Sequence, residues 1–456
     1  MKSLTKTVLF LLSILLTSVS SFAQPEILDQ DTMRLSLSAA VDLAVKQNQQ
    51  LQSVQMDEEI NQFKIKEIKS GALPQITGDA NYNDNFSRAS QILPGEVFGQ
   101  PGTSIAVKFG TRYQFGTGLQ LKQTIFSPSI NTGLKAAKES QGYYALNTFK
   151  TKEDLIYEVV NVYMQLEMTE KQKELIVGNI ERMKKLVQIT DAQFKEGIIK
   201  KVDVDQLRVN YTNLRTQLST TNNTYTQLLN GLKLLMNVDV YTPVAITNEV
   251  GVERVPVADQ LFLKDNTDLN LIDYQIRLQE LNTLNIKAGY LPTLSAFANY
   301  GWQGQADKLF KSGATQGFTS GVWGLTLSIP IFDGFTKRNK IAQSNIQVKQ
   351  MQMNKKYLTS KINNDFVSAQ NDLRQNKEVL AAQDENMKVA EELYNVAKLS
   401  YTEGIAPLSE LINAENGLKE AQTQYLTALL QISLAELDLM KTSGQLSKII
   451  KDASSN

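Results

Sequence analysis

The feature that most constrains this chain is that its sequence says the same thing twice. IKSGALPQITGDANY at residues 68–82 returns as IKAGYLPTLSAFANY at residues 286–300. NQQL at 48–51 precedes the first phrase by the same distance as NTDL at 266–269 precedes the second. Downstream, KQTIFSPSINTGLKAA (122–137) resembles SIPIFDGFTKRNKIA (328–342), and FKEGIIKKVDVDQL (194–207) resembles YTEGIAPLSELINA (401–414). Four segments in one order, at a period of about 210 residues, lie far beyond the 20–50 residues of solenoid repeats. The sequence therefore reads as an internal tandem repeat of a whole fold unit, one copy over residues 24–250 and the other over 251–445, with a tail at 446–456. Each copy reads helix, break, strand, loop, strand, break, very long helix, glycine tip, helix.

The breaks have a steric cause. Leu73-Pro74 and Leu291-Pro292 follow helical runs, and a residue before proline is pushed out of the helical region. Beyond each break the pattern alternates. Ile76, Gly78, Ala80 and Tyr82 face one way, and Gln75, Thr77, Asp79 and Asn81 the other. Val107, Phe109, Thr111, Tyr113, Phe115, Thr117, Leu119 and Leu121 continue the same alternation, as do Leu294, Ala296, Ala298, Tyr300 and Trp302 and then Thr319, Gly321, Trp323, Leu325, Leu327 and Ile329. Strand pairs are predicted at about 74–86 with 107–125, and at about 292–303 with 319–331, joined by polar loops at 87–105 and 304–318. A soluble antiparallel sheet alternates in this way. So do membrane β-barrels, whose strands of about 9–11 residues are apolar outside and polar inside. In a barrel, Tyr82, Tyr113, Tyr300, Trp302 and Trp323 suit the aromatic girdles. Four strands cannot close a barrel, and open edges are not tolerated in lipid, so membrane-spanning strands here require several chains to share one barrel.

Helices carry most of the mass. Only Gly133, Gly142 and Gly178 interrupt residues 128–196 after Pro128, and 336–403 contain neither proline nor glycine. Long helices are predicted at about 128–196 and 335–403, each ~100 Å at ~1.5 Å per residue. Tips at 197–202 and 404–407 lead into returning helices at 203–236 and 408–442. Along the second long helix, Val348, Met351, Lys355, Leu358, Ile362, Phe366, Ala369, Leu373, Asn376, Leu380, Gln383, Met387, Ala390, Tyr394, Ala397 and Tyr401 advance by about 3.5 residues per step, the coiled-coil value. Lys355, Asn376 and Gln383 are the polar members of that seam.

Residues 1–23, MKSLTKTVLFLLSILLTSVSSFA, read as a secretory signal peptide: Lys2 and Lys6, an apolar stretch too short to span a bilayer, and small residues at Ser21-Phe22-Ala23. No Cys lies beside the cleavage point to take a lipid. The chain has no Cys and no His, which removes disulfides, thiol nucleophiles, most zinc sites and the usual general base near neutral pH. Net charge is zero, or −2 without Lys2 and Lys6, and gives no reason to expect nucleic acid. Asp203-Val-Asp205 is not a metal site, because residues two apart on a helix do not face each other. There is no phosphate loop, nucleophile elbow or HExxH. The chain is therefore read as no enzyme, with no cofactor and no metal. Lys184-Lys185, Lys200-Lys201 and Lys355-Lys356 read as solvated surface.

An exported chain with membrane-length strands and long helices suggests a conduit, its strands in the outer membrane and its helices in the periplasm. In these respects it resembles the TolC-like outer-membrane efflux family over about residues 30–445. The order of both repeats carries the resemblance, together with IKSGALPQI, IKAGYLPTL, TIFSP, IPIFDGF, FKEGII and YTEGIAPLSELINAENGLKEAQTQYL. The resemblance implies a mainly α fold with membrane β: a homotrimer whose twelve strands, four per chain, form one outer-membrane barrel, continued by a long coiled α-helical periplasmic barrel. It also implies a passive exit duct of a tripartite efflux or type I secretion system, gated at the helical tip, which meets a periplasmic adaptor and, through it, an inner-membrane pump.

The tips then acquire candidate roles. Gly197 and Gly404 suit helix ends that need positive φ, and Pro407 suits the first turn of the returning helix. With Ile198 and Ile405 they are the expected adaptor-docking residues. Matched from the tip glycines, Glu410, Asn413, Asp203 and Gln206 fall where the family places its pore entrance, with Asn413 at a position often acidic. Carboxylate rings favour cations, while Glu410 and Asp203 also suit helix N-termini on their own account. Two rival readings remain: a periplasmic adaptor, against which two hairpins and two strand pairs argue, and a secreted coiled-coil structural or adhesive protein without channel activity.

Overall fold

A computed structural model describes residues 32–247, 260–308 and 315–446. The export segment 1–23, the junction between copies at 250–251 and nearly all of the tail lie outside the described residues. The chain opens with β1 (Met33–Leu35), α1 (Leu37–Gln47) and α2 (Gln49–Ser70). Asn48 caps α2 by accepting the Leu51 N–H at 2.9 Å. Asn266 caps α5 (Thr267–Ala288) by accepting the Leu269 N–H at 3.0 Å. The repeated Asn-x-x-Leu is thus a helix start, worth about 1 kcal/mol at each site.

Between these helices the chain forms β2 (Gln75–Asp84), β3 (Ser90–Pro94), β4 (Ser104–Lys108), β5 (Tyr113–Phe126), α3 (Pro128–Lys195), α4 (Lys201–Leu235) and β6 (Val244–Ile246). After α5 come β7 (Thr293–Ala306), β8 (Thr315–Ser328), α6 (Thr336–Thr402) and α7 (Leu408–Ser443). The single strand read at 107–125 is divided. Gly110 has φ +79°, which turns the chain between β4 and β5 and interrupts the alternation seen in the sequence. The loop read at 87–105 contains an antiparallel hairpin, β3 with β4. β7 extends past 303 to Ala306, and β8 starts at Thr315 and stops at Ser328, short of Pro330, which has no N–H to give a ladder. Pro407 is the cap preceding α7 rather than part of its first turn.

β2, β5, β7 and β8 form one antiparallel sheet in that order, so among the described residues β2 and β8 each leave an edge unpaired. Its register aligns the two alternations. One face carries Ile76, Leu121, Ala298 and Trp323 in one transverse row and Tyr82 with Phe115 in another. The other face carries Gln75, Thr77, Asp79, Asn81, Gln120, Asn299 and Gln303. Tyr82, Tyr113 and Phe115 cluster at the loop end, with Tyr82 and Tyr113 stacked at 6.4 Å. Tyr300 and Trp323 lie close to mid-strand, on the Gly321 and Ala298 rows, and Trp302 lies one row pair nearer the loop end than Tyr300. At the loop end Arg112 pairs with Asp84 at 3.0 Å, and Arg88 ties the β3–β4 hairpin to Asp307 at 3.2 Å.

The helices form two long antiparallel hairpins, α3 with α4 and α6 with α7, with α5 packed between α3 and α6. α3 and α6 have 68 and 67 residues, hence a reach of ~100 Å each. Midway along α3, where α4 ends, Leu51, Val159, Leu166, Leu232 and Met236 form a core under a short parallel pairing of β1 with β6. The Tyr163 hydroxyl reaches the carbonyls of Leu35 (3.0 Å) and Thr247 (2.9 Å) there. Phe366, Ala369 and Leu373 of the sequence-read seam pack on Ile432, Ala435 and Leu439 of α7. Lys355, a polar seam member, is held by Asp273 of α5 at 2.6 Å.

Candidate functional site at the hairpin tips

Both hairpins turn in the same way. At the first tip Gly197 has φ +73°, its N–H donates to Phe194 O, and the Ile198 N–H donates to Gln193 O at 2.9 Å. At the second, Gly404 has φ +70°, and the Ile405 N–H donates to Ser400 O at 2.8 Å. These bonds satisfy the orphan carbonyls of each helix end, and only glycine enters the left-handed region without cost. Ile198 and Ile405, the next residues, are strongly exposed. Neither Lys200 nor Pro407 caps the following helix with a side chain. Asp203 and Glu410 stand in those first turns, where a carboxylate favours the exposed N–H groups.

The tips converge through one apolar cluster. Met183 of α3, Leu207 and Leu214 of α4, Ala397 of α6 and Leu408, Leu411 and Ile412 of α7 are buried together. Three polar links cross it. The Tyr401 hydroxyl donates to Gln193 Oε1 at 2.8 Å. Arg182 Nε lies 3.5 Å from the Glu415 carboxylate. The Arg182 guanidinium also sits 5.8 Å over the Tyr394 ring and donates to Asn179 Oδ1.

Glu415 is only 6% exposed. Burial pushes its pKa up, and the nearby Arg182 opposes that shift without cancelling it. Burial and then the Glu415 charge raise Tyr394; burial and then the Asp203 charge raise Tyr401. A cleft of about 350 Å³ opens beside this group, walled by Arg182, Leu186, Ile189, Lys398, Tyr401 and Glu415. Within the first hairpin, Arg208 pairs with Asp191 at 2.7 Å. The arrangement is a cross-linked helical junction. Among the described residues no cluster of carboxylates is placed to hold a metal.

The sequence-predicted residues sit as follows. Gly197, Ile198, Gly404 and Ile405 form the two turns. Gln206, Glu410 and Asn413 are exposed and Asp203 is half-buried. Asp203 with Gln206, and Glu410 with Asn413, are three apart on their helices and share a face. Within one chain the two pairs make no hydrogen bond or ion pair with each other among the described residues. Arg182, Tyr394 and Gln193 carry no sequence signal that marks them as site residues. Glu415 had a signal: Leu408, Leu411, Ile412, Glu415 and Leu418 follow helical core spacing, so a carboxylate occupies an apolar position.

A sequence model of the family described as "Outer membrane efflux protein" matches residues 40–238 and 264–445. The chain is 24% identical over 473 residues to the outer membrane protein TolC of Salmonella enteritidis, covering 96% of this chain and 89% of that one. It is 22% identical over 425 residues to the outer membrane efflux protein BepC of Brucella suis, covering 91% and 87%. Its fold is similar to the Campylobacter jejuni CmeC outer membrane channel, with a TM-score of 0.72 at 18% identity over 92% of this chain and 89% of that one.

Proposed function

Since the chain belongs to the outer membrane efflux protein family, we propose that it is the outer-membrane exit duct of a tripartite efflux or type I secretion system. One observation carries the reading: a four-stranded sheet with one apolar face and two bare edges stands at the end of two ~100 Å helices, α3 and α6. Three copies supply twelve strands. Strand directions alternate from β2 to β8, so β8 of one copy meets β2 of the next in antiparallel sense and the cylinder closes. Its apolar face then meets lipid, and its polar face lines the bore. The helices continue the bore into the periplasm, each chain contributing two related halves, about 24–250 and 251–445.

Transport through the duct is passive, because nothing in the chain resembles a nucleotide site and energy comes from an inner-membrane pump reached through a periplasmic adaptor. The exposed Ile198 and Ile405 give the adaptor two equivalent apolar handholds per chain. Glu410 with Asn413, and Asp203 with Gln206, form rings of three at the entrance, and loosening of the cross-hairpin links opens it.

The test is direct. Full-length protein, fractionated and purified in detergent, is expected in the outer membrane as a trimer that conducts in planar bilayers. Glu410→Gln is expected to lower cation preference, and Ile198→Asp with Ile405→Asp to abolish adaptor cross-linking without loss of conductance. A soluble, non-conducting chain would establish the structural or adhesive reading instead.

A further inference from the structure

The four strands of the large sheet carry only three charged residues: Asp79 and Asp84 on β2 and Lys122 on β5. Asp84 lies at the loop end, on the apolar parity, and is held by Arg112. Asp79 and Lys122 share the polar parity. Pairing of Gln75 with Lys122 and of Asp79 with Gly118 places them four rows apart, roughly 13 Å at about 3.3 Å per residue.

The Asp79 row continues through Gly118 and Gly301 to Ser320. A Cβ at Gly118 would lie 3.7 Å from both Asp79 carboxylate oxygens, so the carboxylate leans over a stretch of wall with no side chain. That stretch belongs to a shallow groove of about 330 Å³. Among the described residues, neither the Asp79 nor the Lys122 side chain makes a hydrogen bond or ion pair. The polar parity of β8 offers Gln316, Phe318, Ser320, Val322 and Gly324, so a neighbouring copy brings no counter-charge to the β2 edge.

We propose that Asp79 is a charge-selecting residue of the bore, forming with its two symmetry mates a negative band that concentrates cations, cationic organic cargo included, and that Lys122 forms a positive band nearer the helices. This rests on the shared-barrel reading above. Screening decides whether the bands act separately. The Debye length is about 8 Å at 0.15 M salt, shorter than their spacing, and about 30 Å at 0.01 M, where they offset each other.

The chain contains no Cys, so a reporter thiol has no background. Asn81→Cys places one on the polar parity two residues from Asp79; Ala80→Cys places one on the apolar parity. Both full-length proteins are reconstituted in lipid vesicles and treated with a cationic (trimethylammonium) and an anionic (sulfonate) methanethiosulfonate. The Asn81→Cys thiol is expected to prefer the cationic reagent. Adding Asp79→Asn should lower the cation-to-anion rate ratio roughly two- to threefold at 0.15 M salt, while Asp79→Glu preserves it and about 1 M salt removes the difference. A ratio unmoved by Asp79→Asn, with Ala80→Cys protected by lipid, overturns charge selection alone. Equal reactivity of Ala80→Cys and Asn81→Cys overturns the barrel beneath it.

Discussion

The hydroxyl of Tyr401, one residue inside the end of α6, donates a 2.8 Å hydrogen bond to Oε1 of Gln193 near the end of α3, joining the two hairpins within a turn of both tips. The donor and acceptor are 208 residues apart in sequence.

Tyr401→Phe should therefore loosen the junction while leaving its apolar contacts in place. A neutral hydrogen bond contributes about 0.5–1.5 kcal/mol net, which is up to about tenfold in an opening equilibrium. Single-channel records are expected to show more frequent open events for Tyr401→Phe. Gln193→Ala added to it should have little further effect, since both changes remove the same link.

Arg182→Ala leaves Glu415 buried without its cation. Loss of a fully buried pair costs about 3–5 kcal/mol, and Arg182 is 35% exposed, so about 2 kcal/mol is expected here after screening. The cost depends on pH. The raised pKa of Glu415 means the folded chain holds this proton where the unfolded chain has lost it. Stability thus falls as pH rises from the ordinary carboxylate value of 4.5 through the raised one. Removing Arg182 raises that pKa further. Thermal melts should show the Arg182→Ala defect small in mild acid and full at neutral pH. Glu415→Gln should flatten the dependence.

Gly404→Ala tests the turn. A side chain at φ +70° is strained by about 1–2 kcal/mol. Amide exchange of the Ile405 N–H, bonded to Ser400 O, should accelerate about fivefold or more by hydrogen-exchange mass spectrometry. Conductance should remain, because the sheet and the shafts are untouched.

Tyr157 on α3 is bonded to Asp438 of α7, and the Lys441 ammonium lies 4.0 Å over its ring. Burial and then the Asp438 bond push its pKa up to about 12. Since the unfolded phenol ionises near 10, the folded state is disfavoured as pH rises between those values. An ultraviolet titration of folded protein should show a phenol ionising at about 12 that is absent in Tyr157→Phe. Asp438→Asn should bring it down.

The helical half of the fold was legible because its signals are local. Pro74 and Pro292 stop helices whatever surrounds them, Gly197 and Gly404 answer a backbone demand at their own positions, and a seam of about 3.5 residues per step names its buried face. Alternation located the large sheet, but it carried through Gly110, where positive φ ends β4 before β5 begins. A hairpin inside a polar loop has no long apolar alternation to reveal it, so in the sequence β3 and β4 look like loop. The tip residues were legible as turns and first-turn carboxylates. The links between hairpins were not, because Arg182 with Glu415 and Gln193 with Tyr401 are set by how two hairpins pack, which neither hairpin encodes alone.

The bare rims of β2 and β8 bear on how the protein matures. A lone copy presents unsatisfied backbone groups along two strands, and hydrocarbon will not accept them. In the proposed assembly, association has to precede burial in the bilayer, and a chain that has not yet found its partners is a sticky intermediate that needs shielding from wrong ones. Because completion takes three sound copies in the proposed assembly, the yield of working ducts follows the cube of the intact fraction. A variant that still associates but cannot finish the wall would poison a mixed population out of proportion to its abundance.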